Sequence, residues 1–246
     1  MSFFWYSGSN FVPIKQRHCE PMVIDSFLVD NGQVRGFDLH LKRFASQVPR
    51  VLPASFPSML AMVLPEAGQW FPRLEYHIAS QEIYVHLRPA PQLRTITRLE
   101  TQGAVDSREK PQVKGWDLPL LTKMRAAAET RGYDDVILLD AEGHPKETTT
   151  AVMAFLVDNT LHTPDPSLGI LPSVTWELTQ NALHHHGLQV AYGVYDWVDF
   201  HSAASVVGNA LHGWTDVIWG SEKPSGTAAW LNSLIPATSL VRSHSF

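Results

Sequence analysis

Lys114 and Glu147 are the residues whose types and setting could support covalent chemistry. Lys114 stands where a polar stretch meets a predicted helix. Val113 directly precedes it, and the bulky Trp116 lies two positions after it. A lysine partly withdrawn from water has a lowered pKa, which favours attack of its amine on a carbonyl group and formation of an imine. Glu147 follows a predicted strand and turn, so its carboxylate could face such a lysine across a cleft. Taken alone, each residue is more typical of a solvated surface side chain.

A threonine-rich turn directly follows Glu147. Thr148, Thr149 and Thr150 offer hydroxyls and backbone N–H groups, which suit a phosphate or a carboxylate. The sequence has no Gly-rich loop ending in Lys-Ser/Thr, no dinucleotide glycine fingerprint and no Gly-x-Ser-x-Gly motif. The turn is therefore the main candidate for binding an anion.

The histidines and the cysteine do not predict a metal site. His184, His185 and His186 are adjacent, and neighbouring helix residues point in different directions. Histidines in the last turn of a helix also suit its negative end. With Cys19 as the only cysteine, neither an internal disulfide nor a multi-cysteine zinc site is possible.

Composition restricts the class of protein. The chain has 246 residues, 44% hydrophobic and 17% charged, with a formal net charge of −5. It carries no basic excess for nucleic acid and no apolar stretch approaching the ~20 residues that span a bilayer. The aromatic N-terminus lacks a basic leader. We expect a cytoplasmic protein with neither a nucleic-acid nor a membrane partner.

Hydrophobic periodicity and turn residues predict both helices and strand pairs. Predicted helices cover 38–47, 57–66, 118–131 and 174–186, with Asp38 as the cap of the first. Predicted strands include 74–78, 82–87, 136–139, 151–157 and 160–163. The polar stretch 100–112 is interpreted as a linker. The sequence thus predicts an N-terminal domain at 1–99 and a C-terminal domain at 113–246.

The order of the central motifs carries a family resemblance. The chain shows in turn Lys114, Asp117, Gly132-Tyr133-Asp134-Asp135, Leu138-Leu139-Asp140, Gly143, Glu147, Thr163-Pro164 and Leu171-Pro172-Ser173-Val174-Thr175. Upstream stands His40-Leu41-Lys42-Arg43-Phe44. This series, over about residues 23 to 217, resembles the class IV aminotransferases, which are fold-type-IV pyridoxal-phosphate enzymes. That group includes branched-chain and D-amino-acid aminotransferases and aminodeoxychorismate lyase.

The resemblance implies pyridoxal 5'-phosphate as cofactor and a role for each matching residue. Lys114 is the expected Schiff-base lysine and proton shuttle, and Glu147 the expected partner of the pyridinium nitrogen. Arg43 is expected to bind the phosphate, together with backbone N–H groups of Val174 and Thr175 and the Thr175 hydroxyl. Thr148 and Thr149 are expected to line the cofactor.

Substrate contacts are less constrained. Thr150 is expected near the substrate carboxylate, and Arg88 is the candidate arginine for it, with Arg94 and Arg98 as competitors. Ser26 stands near the position where the lyases carry an important threonine hydroxyl. The substrate is expected to be a small molecule, an amino acid or aminodeoxychorismate.

The resemblance also implies a fold and a set of possible activities. The expected fold is α+β, with a small N-terminal α/β domain and a larger C-terminal domain containing a barrel-like sheet, assembled as a homodimer. The sequence departs from the family pattern at Leu118, Val152 and Trp176, which replace a tyrosine, an asparagine and an arginine. The expected activity is amino-group transfer. The alternatives are 4-amino-4-deoxychorismate lyase, which releases pyruvate and 4-aminobenzoate, and a non-catalytic cofactor-binding protein.

Overall fold

The chain divides into two compact units. The computed structural model describes residues 2–15, 23–220 and 223–240, so Cys19 lies outside the described residues. The first unit comprises Met1–Leu93, Val113–Trp116 and Ala237–Phe246, and the second comprises Arg94–Gln112 and Asp117–Pro236. This division differs from the one drawn on the sequence, since Lys114 groups with the N-terminal residues.

The described residues of the first unit form two antiparallel sheets and two helices. Its elements up to Leu87 are β1 (Ser2–Tyr6), β2 (Phe11–Ile14), β3 (Val23–Ser26), β4 (Val29–Asp30), β5 (Gln33–Val34), α1 (Phe37–Gln47), α2 (Phe56–Val63), β6 (Gln69–Trp70), β7 (Arg73–His77) and β8 (Glu82–Leu87). The main sheet has the strand order β2-β1-β8-β7-β3, which leaves β3 at one edge. The β7–β8 pair confirms the predicted hairpin.

The two faces of this main sheet differ in polarity. Successive strand residues point to opposite faces, so Leu74 and Tyr76 of β7 enter the apolar core while Arg73, Glu75 and His77 point the other way. The core also receives Leu41 and Phe44 from α1. A buried polar face therefore lies opposite the apolar one.

Helix α1 confirms the predicted helix, but its cap is different. Gly36, in the left-handed region at φ 62°, precedes the helix, and no side chain caps it. Asp38 lies within the first turn instead, where a carboxylate still favours the positive end of the helix. His40, Leu41 and Phe44 share the buried side of the helix.

The second unit is built on one eight-stranded mixed sheet. Its elements are β9 (Ile96–Val105), α3 (Leu118–Glu129), β10 (Asp135–Leu139), β11 (Pro145–Thr148), β12 (Val152–Val157), β13 (Thr160–Pro164), α4 (Val174–His185), β14 (Gln189–Gly193), α5 (Trp197–Ser202), β15 (Ala204–Asn209), β16 (Gly213–Ile218) and α6 (Thr227–Ser233). A last short strand, β17 (Thr238–Ser239), belongs to the first unit and joins its small sheet, β17-β5-β4-β6.

The large sheet is continuous but not closed. Its order is β11-β10-β9-β16-β15-β12-β13-β14, with parallel pairs at β10/β9, β16/β9 and β13/β14. Within the described part of the chain no ladder joins the end strands β11 and β14. The α+β fold expected from the sequence is confirmed, and its barrel-like sheet is open.

Part of the predicted linker is a strand. Residues 100–105 belong to β9, which pairs with β10 and β16. Gly103 has φ 62°, and a Cβ there would lie 2.9 Å from Leu139 Cδ1. The register of β9 against β10 shifts in this region. This irregularity interrupts the alternation of polar and apolar residues by which a strand is recognised in sequence.

Among the described residues, no helix combines the length and the apolar character that crossing a bilayer requires.

Candidate active site

Lys114 lies along the edge strand β3. Its carbonyl oxygen accepts a hydrogen bond from the Ile24 N–H at 2.8 Å, and its own N–H donates to Gln47 Oε1 at 3.1 Å. Gly115 follows at φ 111°, where a Cβ would lie 3.0 Å from both the Ile24 nitrogen and its Cγ1. Only glycine permits this approach, so β3 and the end of α1 fix the backbone that carries Lys114.

A buried carboxylate, Asp25, organises the neighbouring charges. It accepts hydrogen bonds from Arg43 Nε at 2.8 Å and Arg43 Nη2 at 2.9 Å. His40 Nδ1 lies 2.7 Å from Asp25 Oδ1, the oxygen that also accepts from Arg43 Nη2. Burial would raise the pKa of the Asp25 carboxyl, but Arg43 and His40 outweigh it and hold that pKa well below its usual range. Asp25 is therefore ionised and fixes the orientation of the Arg43 guanidinium.

His40 stays neutral beside this pair. Burial has the largest effect on the pKa of His40 and lowers it; Asp25 raises this pKa, but the charges of Arg43 and Lys114 also lower it, and the net shift is downward. A neutral imidazole donates from Nδ1 to the Asp25 carboxylate. The expected phosphate-binding arginine and the expected cofactor lysine thus share one electrostatic environment in the first unit.

Ser26 and Arg88 belong to the polar face of the main sheet. Ser26 lies directly opposite Arg73 in the β3–β7 ladder. Arg88 follows β8, and its Nε donates to the Phe71 carbonyl at 3.1 Å. Both expected substrate residues of the first unit are therefore on the same side of one sheet.

Glu147 is a buried acid of the second unit. It pairs with Leu138 in the β10–β11 ladder. Its Oε1 accepts hydrogen bonds from Arg108 Nη2 at 2.8 Å and from the Leu171 N–H at 2.9 Å. No hydrogen bond to Oε2 comes from the described residues. Burial raises the pKa of the Glu147 carboxyl, and Arg108 and the Leu171 N–H counteract it in part.

Arg108 links Glu147 to a second carboxylate. It donates from Nε and Nη2 to the two oxygens of Asp106, both at 2.8 Å. Lys146 Nζ donates to Asp106 as well, at 2.6 Å. Burial acts to lower the pKa of Arg108, but the hydrogen bonds to Asp106 and Glu147 raise it above its ordinary value. The guanidinium is thus a permanent positive charge beside Glu147.

The three threonines after Glu147 converge on Asp135. This carboxylate is only 1% exposed and accepts hydrogen bonds from the hydroxyls of Thr148 at 2.8 Å, of Thr150 at 2.5 Å and of Thr149. The Val136 N–H adds a fourth donor at 2.8 Å. The hydroxyls thus hold the turn in place, and direct contact of these threonines with a ligand remains a prediction.

The first turn of α4 presents donors at its open end. The Ser173 hydroxyl accepts from the Trp176 N–H at 3.2 Å, and the Glu177 N–H bonds to the Ser173 carbonyl at 3.0 Å. In the described structure the N–H groups of Val174 and Thr175 and the Thr175 hydroxyl have no such partner. Helix N-termini of this kind attract anions.

Gly208 of β15 permits the start of α4 to lie close to the sheet. A Cβ there would be 2.9 Å from the Trp214 ring and 3.1 Å from the Thr175 methyl group. Trp214 in turn donates from Nε1 to the Thr179 hydroxyl at 2.8 Å. The packing of Gly208 and Trp214 thus sets the position of Thr175.

The other candidates lie elsewhere. Arg94 is 3.5 Å from Asp134, and Arg98 donates its N–H to the same carboxylate at 2.7 Å. His184 to His186 are exposed at the end of α4. One group of possible metal ligands exists among the described residues, Asp140, Glu142 and His144, in the β10–β11 turn. The Asp140 carboxylate there already accepts two backbone N–H groups.

Several organising residues were missed on the sequence. Asp25 could have been suspected, because a carboxylate stands inside the short apolar segment that forms β3. Asp106 and Arg108 fell inside the polar stretch interpreted as a linker. Asp135 was part of a recognised motif, but the sequence offers no signal for the three hydroxyls that it gathers.

Comparison with known proteins places the chain among transaminase-like folds. A family model described as amino-transferase class IV matches residues 22–218. No curated protein sequence matches. Among solved structures, the fold IV-transaminase CpuTA1 from Curtobacterium pusillum has a TM-score of 0.76 at 17% identity, covering 95% of both chains.

Two further structures share the fold. A hypothetical aminotransferase from Mycobacterium tuberculosis, in a PLP-bound form, has a TM-score of 0.77 at 14% identity and covers 95% of this chain and 97% of its own. The branched-chain amino acid aminotransferase from Escherichia coli has a TM-score of 0.74 at 14% identity, covering 94% and 92%. At these identities the similarity concerns the fold.

Proposed function

Because the chain belongs to the class IV aminotransferase family, we propose that it is a pyridoxal-phosphate-dependent enzyme that transfers an amino group between an amino acid and a 2-oxo acid. Lys114 attaches the cofactor and moves the proton at the substrate carbon. The observation that carries this proposal is the buried Glu147, with one oxygen anchored by Arg108 and the Leu171 N–H.

The residues present fit this cofactor. Glu147 Oε2 is left to accept a hydrogen bond from a protonated ring nitrogen. Arg108 favours the ionised form of Glu147 that such a bond requires. When bound, pyridoxal phosphate supplies an electron sink that stabilises a carbanion next to nitrogen.

The anionic end of the cofactor is matched by two groups. Arg43 presents a guanidinium whose orientation is set by Asp25. Val174 and Thr175 offer two backbone N–H groups and a hydroxyl at the start of α4. Each of these two groups suits a doubly charged phosphate, since a forked cation and a helix N-terminus both favour an anion.

By resemblance to the family, Lys114 is assigned the proton transfer. Its backbone is fixed at both polar groups, so the side chain starts from a defined point. Ser26 and Arg88 hold the substrate on the polar face of the sheet. By resemblance to the family, we also propose a homodimer.

The proposal is tested by spectroscopy and product identity. Purified protein loaded with pyridoxal phosphate should show the absorption band of the covalently held cofactor, and Lys114→Ala should lose it. Lys123→Ala, at an exposed lysine of α3, is the matched control and should keep it. A screen of amino donors should convert the cofactor to its amino form, and 2-oxo acids should reverse the change. Retention of the band by Lys114→Ala would refute the lysine assignment.

A lyase acting on 4-amino-4-deoxychorismate is the alternative activity. The observation that favours it is Ser26, whose buried hydroxyl stands on the polar sheet face where a lyase would need a proton-carrying group. Release of pyruvate and 4-aminobenzoate, without conversion of the cofactor to its amino form, would establish elimination. A protein that binds the cofactor but forms no product with any substrate would indicate a non-catalytic descendant.

A further inference from the structure

Strand β11 carries a bulge at Lys146, directly before Glu147. In the β10–β11 ladder Glu147 lies opposite Leu138 and Pro145 lies opposite Leu139, so Lys146 is one extra residue between two paired positions. In a regular strand, successive side chains such as those of Lys146 and Glu147 point to opposite faces. A bulge re-aims one of them. Both side chains thereby reach the same buried cluster of charges.

Four charged side chains form one chain of hydrogen bonds, the four-charge cluster of Lys146, Asp106, Arg108 and Glu147. Lys146 Nζ donates to Asp106 Oδ2 at 2.6 Å. Arg108 Nη2 donates to the same oxygen at 2.8 Å and to Glu147 Oε1 at 2.8 Å. The four side chains are between 5% and 9% exposed, so solvent screens their charges only weakly.

The charges of this cluster balance only when Lys146 is counted. Lys146 and Arg108 contribute two positive charges, and ionised Asp106 and Glu147 contribute two negative charges. Without Lys146, one guanidinium would face two carboxylates. An uncompensated buried charge is costly, and a titratable group removes it by changing its protonation state. Loss of Lys146 would therefore place a proton on one of the two carboxylates.

Glu147 is the carboxylate that would take up this proton. Asp106 would still accept from Arg108 Nε, Arg108 Nη2 and the Arg108 N–H, the last at 3.2 Å. The described residues give Glu147 only two donors, Arg108 Nη2 and the Leu171 N–H. Burial is the largest influence on the pKa of Glu147 and raises it, and the negative charge of Asp106 acts in the same direction. Glu147 is therefore the member whose charge depends on the balance.

Other titratable groups on the elements packed against β11 are bonded elsewhere. Asp135 of β10 accepts from the hydroxyls of the threonine turn. In the β10–β11 turn, Asp140 Oδ2 and His144 Nδ1 are 2.9 Å apart. His162 of β13 bonds to the Tyr195 hydroxyl at 3.2 Å. These contacts include no member of the four-charge cluster, so its balance is set by its own members.

We propose that Lys146 is a positioning residue: through Asp106 and Arg108 it balances the charge of the cluster and keeps Glu147 ionised towards the cofactor ring. This inference rests on the proposed function, in which Glu147 accepts a hydrogen bond from the protonated ring nitrogen. A protonated Glu147 would present a neutral carboxyl group in place of this anionic acceptor. Lys146 thus supports the binding of pyridoxal phosphate from a distance.

The test is the pH midpoint of Glu147 in the cofactor-free protein, read from the infrared band of its protonated carboxyl group. Glu147→Gln identifies this band by removing it. Lys146→Met should raise the midpoint by about one pH unit, the lower end of the range for a nearby charge. Lys146→Arg keeps the charge and should keep the native midpoint. Lys123→Met, at an exposed lysine of α3, is the matched control and should keep it too.

The double variant Asp106→Asn/Lys146→Met separates charge balance from the loss of contacts. It removes one charge of each sign, so its midpoint should return close to the native value although two side chains are changed. Asp106→Asn alone leaves an excess positive charge and should lower the midpoint. Affinity for pyridoxal phosphate at neutral pH should fall in Lys146→Met and recover in the double variant.

Two results would overturn the proposal. One is a native midpoint in Lys146→Met. The other is a midpoint in the double variant as high as that of Lys146→Met, which would assign the effect to lost contacts. If Lys146→Met does not fold, Asp106→Asn serves alone, and a midpoint that stays or rises would be equally decisive against the proposal. The midpoints are read without cofactor, so a failure of the proposed function appears separately, as a missing covalent band or missing product in the native protein.

Discussion

Replacement of Arg108 by methionine tests the electrostatic support of Glu147. The Arg108 and Glu147 side chains are only 5% and 7% exposed and meet at 2.8 Å. Removing one partner of a buried ion pair costs about 3–5 kcal/mol, because the other charge stays buried. Glu147 would keep the Leu171 N–H, and Asp106 would keep Lys146. We therefore expect the unfolding free energy of Arg108→Met to fall by about 3 kcal/mol, at the lower end of that range.

The same change should affect the cofactor. Without the guanidinium, the Leu171 N–H is left to oppose burial, so the pKa of Glu147 rises further and a larger fraction is protonated near neutral pH. A protonated Glu147 cannot accept from the ring nitrogen as a carboxylate does. We expect weaker binding of pyridoxal phosphate by Arg108→Met, with part of the loss recovered at higher pH. Arg108→Lys keeps the positive charge but loses the forked guanidinium, so its affinity for pyridoxal phosphate should lie between those of the native protein and Arg108→Met.

The assay is urea unfolding of the cofactor-free protein, followed by cofactor titration. Arg131→Met is the matched control, since Arg131 pairs with Glu100 at 2.7 Å from an exposed position. Exposed pairs contribute little, so this control should unfold almost as the native protein does. Equal stability losses in Arg108→Met and Arg131→Met would refute the reasoning. A double-mutant cycle that combines Arg108→Met with Glu147→Gln isolates the free energy of coupling between the two side chains.

Three further changes have defined outcomes. Hydrogen bonds from Arg108 and Lys146 outweigh burial and lower the pKa of Asp106 to about 2. The resulting stabilisation is complete above about pH 4 and is lost on acidification towards pH 2. Asp106→Asn should therefore weaken the dependence of the unfolding free energy on pH in this acid range, and an unchanged dependence would contradict the assignment. Asp135→Asn should cost about 1–3 kcal/mol of stability, because three hydroxyls lose a charged acceptor. It should also weaken cofactor binding more than Thr150→Val does. Equal losses of cofactor affinity in the two variants would argue against Asp135 as the residue that holds the turn. Gly208→Ala should cost about 1–3 kcal/mol of stability by overpacking against Trp214, and thermal unfolding measures this loss. Binding of inorganic phosphate should also be weaker. Native stability and native phosphate affinity in this variant would contradict the packing argument.

The main elements of the fold could be predicted from the sequence. The helices and hairpins follow from local periodicity, as in α1, α4 and the β7–β8 pair. The β9 strand could not be recognised, because Gly103 adopts a positive φ against Leu139 and interrupts the alternation. The return of Lys114 to the first unit was also hidden, since it depends on a backbone pairing with Ile24 that is 90 residues away in sequence and leaves no local pattern.

In the candidate site, too, local motifs were predictable from the sequence and long-range pairings were not. The order of motifs was enough to predict Lys114, Arg43 and Glu147 as a set. Their partners were not predictable, because Asp25 and Arg43 are 18 residues apart, and Arg108 and Glu147 are 39 apart. A charged pair formed across such distances depends on tertiary packing. Patterns in a single sequence indicate which residues are neighbours along a helix or strand, and they carry no information about such distant pairs.

The most direct test of the central claim is to locate the cofactor on the chain. Protein loaded with pyridoxal phosphate is reduced with borohydride, digested and mapped by mass spectrometry. We predict one modified peptide, with the phosphopyridoxyl group on Lys114. Modification of Lys146, the buried lysine next to Glu147, or labelling spread over exposed lysines such as Lys123, would contradict the assignment.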